Sequence, residues 1–128
     1  MEWCRRQHWQ VGQVSQRIPV WGASAGGLGS SRATITRDLW SFGDLLVCQP
    51  GIDGPLIVQT TTHNQRKVRV RKILGECEAE AMTWIRASGR IEVWGWRKNA
   101  KGRWQPTIIR VEIKDGKLQA RELADITV

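Results

Sequence analysis

Two short apolar runs, Phe42-Gly43-Asp44-Leu45-Leu46-Val47 and Leu56-Ile57-Val58-Gln59-Thr60-Thr61-Thr62, constrain the fold of this chain more than any other feature. Turn formers separate them (Pro50-Gly51-Ile52-Asp53-Gly54), so each reads as a buried strand with one polar side chain set into it. Those side chains are Asp44 and Gln59. A carboxylate inside an apolar strand is costly unless something pairs with it, and a divalent metal ion is one such partner.

Around this pair the rest of the chain falls into short elements. Residues 2–8 read as a short helix, and a first strand follows near 9–18. The Gly/Ser/Ala-rich stretch 22–37, with Arg32 and Arg37 at its end, reads as a long loop. It holds neither GxGxxG nor GxxxxGK[ST], so nothing in it cradles a phosphate. The second strand spans about 39–48 and the third about 55–61. A helix begins near Gln65 with Thr62 or Asn64 as its N-cap. Val70, Ile73, Leu74, Cys77, Ala81, Trp84 and Ile85 then form one apolar face, and Ser88-Gly89 ends it. Strands at about 90–97 and 104–114 follow, and Asp115-Gly116 is a hairpin turn into a last segment, 117–126.

The chain has 128 residues, enough for one domain covering 1–128, and a formal charge of +8. Much of the excess sits in Arg66-Lys67-Val68-Arg69-Val70-Arg71-Lys72, directly after the second apolar run. Such a balance points to nucleic acid or an anionic surface. On a wheel of 3.6 residues per turn centred on Val70, Arg66 and Lys67 fall about 40° and about 60° to either side. Both are therefore expected to reach past the third strand, where Gln59 and Thr61 emerge, with Arg69 and Arg71 flanking and Lys72 facing away. No run of 18 apolar residues spans a membrane, and the first twenty residues lack a signal-peptide core, which together imply a cytoplasmic protein. Cys4, Cys48 and Cys77, odd in number and without CxxC spacing, read as reduced and mostly buried thiols. Of the eight tryptophans, Trp3, Trp9, Trp40 and Trp84 are expected in the core, and Trp94, Trp96 and Trp104 are expected partly exposed.

The order helix, three strands with Asp44 in the second, helix, strand resembles the PD-(D/E)xK nuclease superfamily over roughly residues 2–97, and within it small phage and prophage proteins. That superfamily also holds the archaeal-type Holliday junction resolvases. The resemblance implies an α/β fold: a restriction-endonuclease-like αβββαβ core with a mixed central sheet, here extended by a C-terminal hairpin. It places Asp44 at the first acidic position, and Gln59-Thr60-Thr61 where the pattern has Glu-x-Lys. By that resemblance Asp44, Gln59 and the Thr60 carbonyl hold Mg²⁺ or Mn²⁺, with Asp38 and Glu2 as further candidate ligands. Thr61 lines the site, and Lys67 or Arg66 supplies the cation that the pattern's lysine would provide. Arg32, Arg37, His63, Asn64, Arg69 and Arg71 then contact DNA, and a homodimer cuts two strands. The implied activity is phosphodiester hydrolysis in branched or structured DNA inside a prokaryotic or phage-infected cell. The alternative is a catalytically inactive nucleic-acid-binding protein on the same fold.

Overall fold

The structure, a computed structural model, describes residues 2–20 and 33–123. Its elements in chain order are α1 (Glu2–Arg6), β1 (Gln10–Gln13), β2 (Gln16–Val20), β3 (Ala33–Arg37), β4 (Leu45–Cys48), β5 (Leu56–Thr62), α2 (Arg66–Leu74), α3 (Glu78–Arg86), β6 (Arg90–Lys98), β7 (Trp104–Lys114) and β8 (Lys117–Glu122). Among the described residues six strands form one mixed sheet in the order β1-β4-β5-β6-β7-β8, and β2 and β3 form a separate antiparallel pair.

β5 sits in the middle of this sheet. Leu56, Ile57, Val58 and Gln59 are all buried, because layers cover both faces of the strand. A strand with one wet face would alternate apolar and polar residues; here three apolar residues follow one another, Leu56-Ile57-Val58. β4 runs antiparallel to it, with Leu45 opposite Val58 and Val47 opposite Leu56. β6 runs parallel to it, with Ile57 beside Ile91 and Thr62 beside Trp96. Parallel neighbours need a crossover, which α2 and α3 provide. On the crossover face Ile57, Ile91, Val93, Ile109 and Val111 pack against Val70, Ile73, Cys77 and Ala81. On the opposite face Leu45, Val47, Leu56, Val58, Trp94 and Ile108 pack with Cys4 of α1. Trp3 and Trp9 close over that face, their ring centroids 5.5 and 6.3 Å from that of Trp94.

The structure corrects several boundaries. The expected first strand is two strands: β1 ends at Gln13, with one more main-chain bond from the Val14 N–H to the Asp44 carbonyl (3.0 Å), and β2 pairs with β3 instead of the main sheet. Residues 33–37, expected in a loop, are β3; residues 21–32, including Arg32, lie outside the described residues, as do 124–128. The expected strand at 39–48 is a strand only from Leu45, because 39–43 form a tight reversal closed by Leu39 and Gly43. The single long helix is two: Gly75 ends α2 with backbone angles (φ −103°, ψ −85°) outside the helical range, and α3 restarts at Glu78. No side-chain cap precedes α2; a 3₁₀ turn, His63–Gln65, leads into it.

Two tryptophans also lie elsewhere than expected. Trp94 is fully buried, whereas Trp40 is 43% exposed because positive φ at Trp40 and Ser41 turns it out of the reversal onto Trp84. Trp96 is half-buried and Trp104 exposed. Cys4 and Cys77 are buried and Cys48 exposed. No helix among the described residues is long and apolar enough to cross a membrane.

Candidate functional site at the end of the parallel strands

Asp44 stands one residue before β4, directly across from Gln59, and its carboxylate takes over the ladder where the main chain stops pairing. The Asp44 N–H donates to the Val58 carbonyl at 2.9 Å. Asp44 Oδ2 accepts three hydrogen bonds: from Gln59 Nε2 (2.7 Å), from the Thr60 main-chain N–H (2.8 Å) and from Thr60 Oγ1 (3.0 Å). Gln59, only 3% exposed, therefore shows Asp44 its NH₂ and not its oxygen. A second weak contact of 3.4 Å runs from that NH₂ to the Thr60 carbonyl.

The reversal at 39–43 brings a second carboxylate to the same place. Leu39 and Gly43 exchange two main-chain hydrogen bonds of 2.9 and 2.8 Å, which makes Asp38 and Asp44 the next pair outward. Burial, a side-chain hydrogen bond to Asp44 and the charge of Asp44 push the Asp38 carboxyl from its ordinary 3.8 up to about 6, against the opposing pull of Lys72 and Arg69. The reversal needs left-handed backbone at two non-glycine residues, Trp40 (φ 50°) and Ser41 (φ 67°). Such conformations cost energy and persist only where packing enforces them.

Beside these residues a groove of about 680 Å³ opens over the C-terminal end of β5, lined by Trp3, Leu45, Thr60, Thr61, Thr62, Arg69 and Trp96. The carboxyl ends of parallel strands are the usual position of a binding crevice in α/β sheets. Here the crevice has a half-buried arginine, Arg69, on its wall, and Thr60 of its lining donates to Asp44.

The cations are distributed differently from the expectation. Arg66 lies on the helix's buried side, but its stem crosses Gly95, where a Cβ would collide with Arg66 Cγ and Cδ. Its guanidinium then points along the sheet toward β8, bonding the His63 carbonyl (3.2 Å) and pairing with Glu122 (3.3 Å). It is thus turned away from Asp44. Lys67 is exposed on the helix. The buried stripe of α2 is centred between Val70 and Ile73, the residues it buries, and not on Val70 itself. That rotation moves Lys67 outward and brings Arg69 and Lys72 toward Asp38. Lys72, expected to face away, is half-buried.

Of the remaining candidates, Thr61 lines the groove and Arg37, Asn64 and Arg71 are exposed. His63 Nδ1 lies 2.7 Å from Thr107 Oγ1, and that hydroxyl donates to the Gly95 carbonyl at 2.8 Å. With its proton so engaged, Thr107 accepts from His63, so Nδ1 carries a hydrogen. Glu2 pairs with Arg6 on the exposed face of α1 (3.5 Å) and stays out of the site. Glu92, not singled out from the sequence, is a buried carboxylate on β6. It accepts from Trp94 Nε1 (3.0 Å) and pairs with Arg110 (2.9 Å). The signal for it was an acidic residue within a strand too apolar to leave it in water.

Two adjacent carboxylates suit a hard cation, which would take the place of the proton they share; Mg²⁺ commonly uses one or two carboxylates and keeps several waters. Among the described residues no group of three or more His, Cys, Asp or Glu side chains is placed to hold a metal ion. Gln59 would add an oxygen only with its amide turned over. No protein-family model, no curated protein and no solved structure matches this chain.

Proposed function

We propose that this chain is a metal-dependent DNA endonuclease of PD-(D/E)xK type, acting on branched or otherwise structured DNA. The observation that carries the reading is the meeting of Asp44 and Gln59 across adjacent antiparallel strands, with Asp38, Arg69 and Lys72 close by. The strand directions support it: β1, β4 and β5 run antiparallel in series, a helical crossover follows, and β6 lies parallel to β5. With β2–β3 read as an insertion, β7–β8 as an addition and α2–α3 counted as one crossover, the element order is compatible with αβββαβ, which supports the reading.

In this reading Asp44 and Asp38 would hold Mg²⁺ or Mn²⁺, assisted by Gln59 or the Thr60 carbonyl, and the chemistry such an ion would supply is activation of a water. Hydrolysis would join a water oxygen to phosphorus, break the bond to one bridging oxygen and pass a proton from that water to the departing strand end. Arg69 and Lys72 replace Lys67 and Arg66 as the cations that offset charge developing on the phosphate. Thr60 and Gln59 hold the Asp44 carboxylate in one orientation. DNA would lie in the groove over Thr60–Thr62, and its affinity would fall steeply with salt.

The test is cleavage of supercoiled plasmid, single-stranded and four-way-junction DNA in Mg²⁺ or Mn²⁺, beside Asp44→Asn. Product that needs the metal and disappears in the variant is the expected result. A second reading, a catalytically inactive nucleic-acid-binding protein on the same fold, is favoured by Thr61, which supplies no cation, and by the NH₂ that Gln59 turns to Asp44. DNA binding without metal-dependent product from the wild-type chain would establish that reading and overturn the first.

A further inference from the structure

The turn between β6 and β7 is the most cationic exposed segment outside α2, and neither the fold nor the site above accounts for it. Arg97, Lys98, Lys101 and Arg103 are all exposed, and within residues 97–104 there is no acidic residue. At its base Trp104 is 58% exposed, the most exposed of the large apolar side chains among the described residues. Lys98 is its cross-strand partner, with Nζ 5.5 Å from the ring centroid. Among the described residues Lys98, Lys101 and Arg103 have no carboxylate partner.

The tip is firmly built. Asn99 Oδ1 accepts from the main-chain N–H groups of Lys101 (2.9 Å) and Arg103 (3.0 Å). Asn99 and Arg103 also pair through the main chain at 2.8 Å, and Gly102 takes the left-handed conformation (φ +75°) that closes the turn. A bare tryptophan on an ordered turn costs apolar exposure and adds nothing to the core. An aromatic face flanked by cations suits a nucleobase stacked on the ring with its phosphates on the lysines and arginine.

The position strengthens this assignment. β5 stops at Thr62, level with Trp96, while β6 continues past it. Side chains two apart share a sheet face, so Trp94, Trp96 and Lys98 point the same way. Trp104 pairs with Lys98 on that face, which is also the face of Trp3 and the groove. At about 3.3 Å per residue, Trp104 stands roughly 7 Å beyond the level of Trp96, which lines the groove.

We propose that the β6–β7 hairpin captures an unpaired nucleotide of the DNA substrate by stacking it on Trp104, while Lys98, Lys101 and Arg103 bind the adjoining phosphates. The site's substrate would then be DNA with a single-stranded segment next to a duplex, such as a flap, a gap or an open junction. This rests on the reading above for its link to cleavage. The capture itself is tested without cleavage.

The experiment is fluorescence anisotropy of labelled DNA with the full chain in EDTA, comparing a flap duplex with a blunt duplex of the same length. Stacking on an aromatic ring predicts that Trp104→Ala weakens flap binding by about 5- to 100-fold and blunt-duplex binding by less than about twofold. Trp104→Phe should recover most of the loss. Lys98→Ser, Lys101→Ser and Arg103→Ser together should lower the log–log salt slope on the flap substrate by about 2. Equal loss on both DNAs, no loss on either, or no DNA binding by the wild-type chain would overturn the proposal. Flap-selective binding by a chain that cleaves nothing in Mg²⁺ would keep it while overturning the nuclease reading.

Discussion

Replacing Asp44 separates its structural duty from its charge. In Asp44→Ala three donors lose their acceptor: Gln59 Nε2, the Thr60 N–H and the Thr60 hydroxyl. The hydroxyl can rotate toward the groove, but Gln59 is buried and the Thr60 N–H faces the end of the ladder. Leaving a buried donor unsatisfied costs about 1–3 kcal/mol, so the alanine variant should lose roughly 2–4 kcal/mol. For a chain of this length that lowers Tm by roughly 8–15 °C. Asp44→Asn keeps one oxygen for those donors and offers an NH₂ to Asp38, so its loss should be under about 1 kcal/mol. The pH profile should also change. Asp38 binds its proton more tightly folded than unfolded, so its contribution to stability is fully present below about 4 and is lost as pH rises through about 6. The asparagine variant removes the like charge of Asp44 and gives ionised Asp38 an NH₂ donor, which leaves burial as the raising cause against Lys72 and Arg69, so the decline should be shallower. Thermal melts of the three proteins from pH 4 to pH 8 measure both effects. Equal destabilisation by Ala and Asn, or an unchanged pH slope in Asp44→Asn, would refute the assigned hydrogen bonds and the carboxylate pair.

Further substitutions examine the supports of the site. Gly95→Val should cost about 1–3 kcal/mol by overpacking, since its side chain would occupy the space of the Arg66 stem; chemical denaturation measures it, and Arg66→Ala in the same chain should recover part of the loss. Glu92→Ala leaves Arg110 and the Trp94 N–H without their acceptor and should destabilise by about 2–4 kcal/mol in urea melts, with Glu92→Gln intermediate. In the native chain a brief iodoacetamide pulse at neutral pH should alkylate Cys48 alone, since Cys4 and Cys77 are buried and burial raises both thiols; intact-mass spectrometry should show one adduct.

What could be read from sequence was whatever a local pattern controls. β5 was legible because Leu56-Ile57-Val58 is apolar on both faces, continues into β-branched threonines and sits between a Pro/Gly turn and a cationic helix start. The parallel step to β6 followed from the helix between them. β3 was not legible, because Ala33-Thr34-Ile35-Thr36-Arg37 carries weak apolar signal and pairs with a strand across a long separation. The break at Gly75 was hidden by an apolar spacing that continues through Cys77 into α3. Asp44 and Gln59 could be singled out as polar residues in apolar runs. That their side chains meet depends on the register of β4 against β5, which no single segment contains.

The cations show where such reasoning stops. A helical wheel ranks residues by angle, and its centre is chosen from apolar residues that extend to either side. Moving that centre from Val70 toward Ile73, less than one residue's rotation, exchanges Lys67 for Arg69 at the site's edge. Arg66 falls inside the stripe on either choice, yet its guanidinium turns away, because Gly95 lets the stem lie flat and Glu122 holds the end. Glu122 is 56 residues away in β8, beyond the reach of any pattern local to α2. The acidic pair has the opposite character: Asp38 and Asp44 are brought together by a five-residue reversal, so their coupling is local. A cation that answers that pair must come from α2, and the packing of Ile73 against the sheet selects Arg69 and Lys72 for it.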